Sequence, residues 1–322
     1  MSSTFIKPPH GSMEWLKARH RDEEGNPRIS ASEAAAVHGE HRFISKYGLA
    51  VAKMADEPVV TETNRAMERG NRLEATLLEW LGDEIGIELI EPSVMYTIEN
   101  SGSPMVATLD GVDKESYLKS FGSAFDLPKV VAEIKTYNRE WDGVLPRYWY
   151  WQGVHQAICA NVDEIVWGIF DSTLDLHVHR QPVTMEEKML HIGAVTEFVW
   201  WIKLGSIPAE WPATYEEVSA AYVDSSSETT DLTEYAEVFL RLNEVQQQKK
   251  LLGVEEDELK ATIGLLLKDN QFGVVNGKQV VSWKPQSKTS FDSKLLASEN
   301  PELFHQYQKT SQYRVMRFKG EK

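Results

Sequence analysis

Two stretches decide the fold: Ala107-Thr-Leu-Asp-Gly111 and Val130-Val-Ala-Glu-Ile-Lys-Thr136. The second is typical of a buried strand, yet alternation along it places two charged side chains, Glu133 and Lys135, on the same face. A carboxylate from the turn at Asp110 would converge with them. Two carboxylates beside a lysine are a minimum set for holding Mg²⁺ and activating a water molecule against a phosphodiester.

The composition indicates a globular protein with a large core. The chain has 322 residues, 42% of them hydrophobic, and ten tryptophans, which suffices for one core with an appendage or for two domains. The net charge of −15 argues against broad affinity for nucleic acid but is compatible with a local basic channel.

Several features favour a cytoplasmic protein. The single cysteine, Cys159, excludes a disulfide framework and indicates a reducing compartment. The first residues show no signal-peptide pattern. No apolar run approaches the roughly 20 residues of a membrane span, so no membrane association is expected.

The order of predicted elements over residues 1–222 is helices, three strands, a helix, two strands and a helix. This order predicts the α/β class, with a mixed β-sheet flanked by helices. One predicted helix runs from Ile29 through Val37 with Ser32 as its N-cap. The connection between the strand ending at Leu109 and the strand beginning at Val130 is long for a hairpin.

A polar segment, residues 223–230, is typical of a linker and separates a C-terminal module at 231–322. Apolar residues at three- and four-residue spacing predict one long coiled-coil-like helix, or two helices with a break near Gly253. Asn276-Gly277 between β-branched runs predicts a β-hairpin, and Tyr313–Phe318 is a further candidate strand. The role of the module is left open by the sequence.

Glu74 lies on a predicted helix of about Thr63–Ile85 that Gly86 ends. At about 100° per residue, Glu74 falls within the apolar arc, close to Met67 and Leu78. A carboxylate on a core-facing stripe is costly unless it is paired or bound to a metal. The alternative is a glutamate at the rim of that arc, with its carboxylate in water.

A predicted helix over about Pro146–Ala160 carries a polar row on one face: Gln152, His155, Gln156 and Cys159. This row could hold a water molecule or a phosphate oxygen, or form a hydrogen-bonded seam between helices. His177-x-His179 could chelate a metal, but it is more typical of the solvated face of an edge hairpin.

Taken in chain order, these motifs resemble the YqaJ-type viral recombinase family, the lambda-exonuclease branch of the PD-(D/E)XK nucleases, over about residues 12–205. The matching pieces are Trp15–Arg19, Ile29–Ser32, Gly70–Glu74, Asp110-Gly111, Glu133–Lys135 and Gln152–Gln156. The chain departs from the family at Thr108-Leu109, where a small residue and proline are usual.

The resemblance implies a restriction-endonuclease-like fold and a set of residue roles. Asp110, Glu133 and the Ile134 carbonyl would bind Mg²⁺, and Glu74 would serve a second ion, with Mn²⁺ able to substitute. Lys135 and Gln152 would position the attacking water. The expected ligands of DNA or of its terminal 5′-phosphate are Arg19, Ser32, Thr108 and His155.

The resemblance also implies an activity: Mg²⁺-dependent 5′-to-3′ digestion of double-stranded DNA ends that leaves 3′ single-stranded tails for phage-type recombination. Family members work beside a single-strand annealing protein, and some form ring-shaped homotrimers. A rival hypothesis is a structure-specific or restriction-like endonuclease on the same core. Another is a catalytically idle scaffold that binds DNA ends, against which the complete set of Glu74, Asp110, Glu133 and Lys135 argues.

Overall fold

A computed structural model describes residues 2–60, 64–98, 102, 104–120, 128–224, 226–309 and 314–318. The chain divides into two compact units, residues 1–222 and residues 223–322. Each unit has its own secondary structure, and the predicted catalytic residues all lie in the first.

The first unit alternates strands and helices. Its helices are α1 (Met13–His20), α2 (Ala34–Val37), α3 (Lys46–Met54), α4 (Arg65–Ile85), α5 (Lys114–Ser120), α6 (Arg147–Ala160), α7 (Met185–Lys203) and α8 (Tyr215–Ala221), with a 3₁₀ turn at Ala31–Glu33. Its strands are β1 (Ser2–Ile6), β2 (Ile29–Ser30), β3 (Leu89–Ile90), β4 (Val94–Ile98), β5 (Met105–Ala107), β6 (Gly111–Asp113), β7 (Val131–Thr136), β8 (Glu164–Phe170) and β9 (Leu176–Pro182).

The strands form two sheets. The larger has the order β3-β6-β7-β8-β9, in which β7 and β8 are parallel and the other pairs are antiparallel. The smaller has the order β1-β4-β5-β2. The predicted α/β class, with a mixed sheet flanked by helices, is confirmed.

Helices cover both faces of strand β7, as the alternation of its side chains requires. Ala132 and Ile134 pack in a cluster with leucines of α4, among them Leu81. Val131 belongs to the main core together with Val154 of α6. Burying a side chain of this size contributes about 1.5–3 kcal/mol, so packing from two sides fixes which face of β7 carries its charges.

The helix that follows β2 begins differently from the prediction. Ser32 is not its N-cap: the 3₁₀ turn starts directly after Ser30, and the Glu33 carboxylate accepts hydrogen bonds from the Ser30 N–H at 2.8 Å and from the Ser30 hydroxyl at 2.7 Å. This capping box satisfies backbone N–H groups at the helix start. The Ser32 hydroxyl is therefore free to bond elsewhere.

Short elements fill the connection after Leu109. Strand β6 pairs with both β3 and β7, and α5 follows it directly. The segment between α4 and β5 contains two strands, β3 and β4. The predicted helix start at Thr63 lies outside the described residues; the helix begins at Arg65, with the Asn64 side chain as its cap.

The second unit contains a 3₁₀ turn at Thr233–Tyr235, α9 (Ala236–Leu267), β10 (Phe272–Val275), β11 (Lys278–Ser282), α10 (Ser293–Glu299) and α11 (Pro301–Gln306). Helix α9 is continuous through Gly253, so the two-helix alternative is wrong. Asn276 and Gly277 have φ of 51° and 77°, the positive values that a type I′ hairpin needs. The predicted C-terminal strand is wrong over its described residues, 314–318, which are irregular.

No helix in the described parts of the chain is long and apolar enough to span a membrane.

Candidate active site

The Asp110-Gly111 turn brings the Asp110 carboxylate against strand β7. Asp110 Oδ2 accepts a hydrogen bond of 2.9 Å from the backbone N–H of Ile134. Strand β6 pairs with β7 only as far as Gly111 and Ala132, so Asp110 caps the ladder where the partner strand ends. Because the N–H and C=O of one strand residue face the same neighbour, the Ile134 carbonyl also lies on the Asp110 side of β7.

Glu133 is 2% exposed and is held by three nitrogen donors. Its Oε1 accepts hydrogen bonds from Lys135 Nζ at 2.5 Å and from Gln152 Nε2 at 2.5 Å. Its Oε2 accepts one from Gln156 Nε2 at 2.6 Å. Helix α6 therefore fixes the orientation of a carboxylate on β7, and Gln156 has a role that the sequence assigned only to a general polar row.

The three acidic side chains repel one another. Burial and the charges of Glu133 and Glu74 raise the pKa of Asp110 well above its ordinary value. Burial and the charge of Glu133 likewise raise the pKa of Glu74. Burial by itself would lower the pKa of Lys135, but the neighbouring carboxylates of Glu133 and Asp110 raise it above its usual range. One buried ammonium thus faces three acids, an excess of negative charge that a cation would relieve.

The donor set fits an open divalent-cation site and not a preformed cage. Among the described residues, no group of three or more His, Cys, Asp or Glu side chains is arranged to hold a metal ion by itself. Mg²⁺ commonly keeps several waters and takes one or two carboxylates with the substrate phosphate. Asp110, Glu133 and the carbonyl of Ile134 are oxygen donors of that kind.

A single cavity of about 360 Å³ joins the acids to the predicted phosphate ligands. Of the predicted site residues, its lining includes Arg19, Ser32, Glu74, Thr108, Asp110, Glu133 and Gln152. Residues that are distant in sequence are therefore brought together by the fold.

Arg19 is fixed at one end of this cavity. Its guanidinium donates hydrogen bonds to the hydroxyls of Ser30 at 2.8 Å and Ser32 at 2.5 Å, and it lies 4.1 Å from the centroid of the Trp15 ring. Burial lowers the pKa of Arg19, whereas the nearby carboxylate of Glu33 acts in the opposite direction. The guanidinium is preorganised, with its planar face on an indole and its donors toward two hydroxyls.

Thr108 supplies the sharpest indication of a ligand. Its Oγ1 is buried without a hydrogen-bond partner, although Thr108 lines the cavity. A buried hydroxyl left unsatisfied costs about 1–3 kcal/mol, and a ligand oxygen in the cavity would recover that cost.

His155 does not reach the cavity, and its predicted role as a phosphate ligand is wrong. The side chain is 0% exposed. Its Nδ1 pairs with His191 Nε2 at 2.9 Å and its Nε2 with the Val106 carbonyl at 3.2 Å. Burial lowers the pKa of His155 to about 4, so the ring is a neutral core group that carries no charge for a phosphate.

The second histidine motif also has a structural role. His177 pairs with Asp171 at 3.0 Å, and β9, which carries both His177 and His179, is the edge strand of its sheet. This agrees with the edge-hairpin interpretation.

Two supporting groups escaped the sequence analysis. Lys53, 2% exposed, pairs with Glu33 at 2.9 Å and donates to the Arg19 carbonyl at 3.1 Å. The Ser-x-x-Glu pattern at Ser30–Glu33 could have predicted the start of the helix that follows β2. Lys7 lines the cavity and pairs with Glu91 at 2.5 Å; it had no local signal, because its position depends on the pairing of β1 with β4.

Residues 14–163 match the family model for the YqaJ-like viral recombinase domain. This segment includes every predicted site residue, from Arg19 to His155, and the match confirms the resemblance drawn from the sequence motifs. Such a match supports a DNA nuclease that acts in recombination.

Solved structures of exonucleases are similar to this chain. An alkaline exonuclease from Laribacter hongkongensis matches with 16% identity, 60% of this chain, 94% of that chain and a TM-score of 0.46. The same enzyme in complex with dAMP matches with 17% identity, the same coverage and a TM-score of 0.46. A phage related exonuclease from Haemophilus somnus 129PT matches with 12% identity, 56% and 97% coverage and a TM-score of 0.37. No curated protein matches the chain at a significant level.

Proposed function

We propose that this protein is a Mg²⁺-dependent exonuclease that digests duplex DNA from its 5′ ends and leaves 3′ single-stranded tails for recombination by strand annealing. The observation that carries the proposal is the shared cavity, in which Arg19, Ser32 and Thr108 lie together with Asp110 and Glu133. Donors suited to a phosphate thus share one space with acids suited to a divalent cation.

The acids would hold the cation through Asp110, Glu133 and the Ile134 carbonyl, with Glu74 available for a second ion. A bound divalent cation supplies charge neutralisation at the phosphate and a lowered pKa for a bound water. Mn²⁺, which accepts similar oxygen ligands, would replace Mg²⁺.

Lys135 acts as a cation and not as a proton acceptor. Its raised pKa and its contact with Glu133 keep the ammonium protonated near neutral pH. As a cation it would orient the attacking water and balance the charge of the phosphate. Gln152, which shares Glu133 Oε1 with Lys135, holds that carboxylate oxygen in place and faces the same cavity.

The phosphate donors would favour a terminal 5′-phosphate over an internal phosphodiester. A terminal phosphate monoester carries about −1.5 to −2 charge near neutral pH, whereas an internal diester carries one. The Arg19 guanidinium, with its fork geometry, matches phosphate oxygens in a bidentate contact. The hydroxyls of Ser32 and Thr108 would complete the contact, which would place the first internal phosphodiester near the acids.

The proposal extends to assembly and location. By resemblance to its family, the protein would form a ring-shaped homotrimer in the cytoplasm of a bacterium or a phage-infected host and act beside a single-strand annealing protein. A ring would retain DNA topologically, which suits a chain whose net charge is −15.

Digestion of a linear duplex labelled at one 5′ or one 3′ end tests the polarity. In Mg²⁺, we expect immediate loss of the 5′ label, late loss of the 3′ label, faster digestion of 5′-phosphorylated than of 5′-hydroxyl ends, and an intact closed circle. Lys135→Ala should abolish digestion, whereas Lys17→Ala, a change at an exposed lysine paired with Glu57, should not. Cutting of the circle would indicate an endonuclease, and end binding without cleavage would indicate a scaffold.

A further inference from the structure

Helix α9 carries a heptad series along its whole length. Residues at alternating three- and four-residue spacing form what we call the seam: Tyr235, Val238, Leu242, Val245, Lys249, Leu252, Glu256, Leu259, Ile263 and Leu266. Eight of these ten residues are apolar or aromatic, and the two charged residues, Lys249 and Glu256, lie one heptad apart at its middle. Four such heptads are typical of a helix that pairs with another helix.

Seven of the eight apolar or aromatic seam residues are solvent-exposed, and Leu242 is partly buried. Leu252 is 63% exposed, Leu259 59% and Leu266 77%. Contiguous apolar surface of this kind, flanked by polar residues, marks an interaction site. The helix of 32 residues is about 48 Å long, enough for a stable two-helix contact.

We infer that the seam binds the seam of a second copy of this chain, and that the two α9 helices pair in antiparallel orientation. The inference concerns residues 223–322 alone and does not depend on the proposed nuclease activity.

The two charged residues of the seam determine the orientation in which two copies can pair. Lys249 and Glu256 occupy equivalent heptad positions, so a parallel in-register pair would place each of them opposite the same residue of the other copy. Like charges at a buried seam are strongly unfavourable. The parallel arrangement is therefore disfavoured by the sequence of the seam itself.

An antiparallel pair avoids this repulsion and uses the full seam. With the two-fold axis between Lys250 and Leu251, Lys249 faces Leu252 of the second copy and Glu256 faces Val245. Each of the ten seam residues then has a partner in the opposite seam. Lys249 and Glu256 of opposite copies lie about one turn apart, roughly 6 Å along the axis, within reach of a lysine side chain.

The ion pair that Glu256 already makes on its own helix would hinder the pairing of two α9 helices only slightly. Glu256 pairs with Lys260 at 2.5 Å on the same helix, and both side chains are 65% exposed. An exposed pair of this type contributes little to stability. Exchange of that partner for Lys249 of a second copy therefore costs little, and Lys260 remains at the edge of the seam.

Disulfide trapping in the full-length protein tests the orientation. In the antiparallel pair Leu242 faces Leu259 of the other copy, whereas in one helix these residues lie about 25 Å apart and cannot be bridged. The Leu242→Cys/Leu259→Cys variant should form a covalent dimer on mild oxidation, and Leu242→Cys alone should not. The native Cys159 is buried in the other unit and provides the background control. Dimer formation by Leu242→Cys alone, or none by the double variant, would overturn the inference.

Charge exchange in the same double-cysteine background tests the role of the two seam charges. Lys249→Glu should reduce the yield of the covalent dimer about tenfold, because it places two acids near each other across the pair. Lys249→Glu/Glu256→Lys should restore the yield. Far-ultraviolet circular dichroism would verify that α9 stays helical in each variant. A yield that is unaffected by Lys249→Glu, or that the exchange does not restore, would contradict the antiparallel seam.

Discussion

Gln156 donates a hydrogen bond of 2.6 Å to Glu133 Oε2, while the other oxygen of that carboxylate accepts from Lys135 and Gln152. The amide comes from helix α6 and the acid from strand β7, so the packing of the helix on the sheet sets the direction of the carboxylate. A group that orients the proposed metal-binding acid would influence the chemistry without touching the substrate.

We predict that Gln156→Leu lowers activity by about 10–100-fold, the range typical of groups that orient metal ligands. It should also raise the Mg²⁺ concentration needed for half-maximal activity. Gln181→Leu is a matched control, because Gln181 is also buried but bonds to Trp167 and to the Tyr150 carbonyl. Mg²⁺ titrations of DNA digestion by both variants would distinguish them; an equal Mg²⁺ dependence in the two would refute the orienting role.

Arg19→Lys should remove the preference for phosphorylated ends. A lysine keeps the charge but loses the planar fork that bonds to Ser30 and Ser32 over Trp15. We expect the ratio of digestion rates on 5′-phosphate and 5′-hydroxyl ends to fall about tenfold, which corresponds to about 1.4 kcal/mol. Arg21→Lys, at an arginine that binds backbone carbonyls, should preserve the ratio. An unchanged ratio in Arg19→Lys would place the phosphate elsewhere.

Stability should fall as the pH drops from about 6.5 toward 4. His38, His155 and His191 form a bonded series, and burial lowers the pKa of each, to about 4 for His38 and for His155. The unfolded chain then binds more protons than the folded chain. The contribution of these histidines to the free energy of unfolding is therefore complete above the unfolded pKa and decreases below it. A fully buried histidine contributes a slope of up to about 1.4 kcal/mol per pH unit.

Urea unfolding at several pH values measures that slope. His38→Gln should make it shallower, whereas His305→Gln, a change in the second unit, should leave it unaltered. An identical slope in His38→Gln and in the unmodified protein would rule out burial of the His38 ring as a neutral group.

Gly111→Ala should destabilise the protein by about 1–3 kcal/mol, the usual cost of added volume in a packed core. A Cβ atom at Gly111 would lie 2.3 Å from Leu78 Cδ1 and 3.3 Å from the Ala132 Cβ. The displacement would also move Asp110. Activity should therefore fall by more than the loss of folded protein explains. Gly193→Ala, on α7 with no atom within 4 Å of the new Cβ, should be neutral or slightly stabilising. Thermal unfolding of the pair provides the comparison.

Local chemistry explains which parts of this structure could be predicted. The Asn276-Gly277 turn, the end of α4 at Gly86 and the strand face that carries Glu133 and Lys135 depend on neighbouring residues alone. The direction of the α6 polar row depends on tertiary packing. Its Gln152 and Gln156 meet Glu133, whereas His155, on the same row, meets His191 of α7, and no periodicity in α6 distinguishes these outcomes.

The same limit applies to other residues around the cavity. Lys53 pairs with Glu33 and donates to the Arg19 carbonyl from a separate helix, and Lys7 reaches the cavity because β1 pairs with β4, about 90 residues away in the sequence. Long-range pairings of this kind have no signature in a short window of sequence, although the Ser30–Glu33 pattern could have located the helix start.

We propose that the chain cuts DNA from its 5′ end with a divalent cation held by Asp110 and Glu133. The most direct measurement is the time course of 5′-mononucleotide release from a 5′-labelled linear duplex, in Mg²⁺ and in EDTA, for the unmodified protein beside Asp110→Asn and Lys17→Ala. We predict rapid release in Mg²⁺ by the unmodified protein and by Lys17→Ala, none in EDTA, and a loss of at least about 1,000-fold in Asp110→Asn, or about 4 kcal/mol. Release by Asp110→Asn at the unmodified rate, or equal release in EDTA, would contradict it.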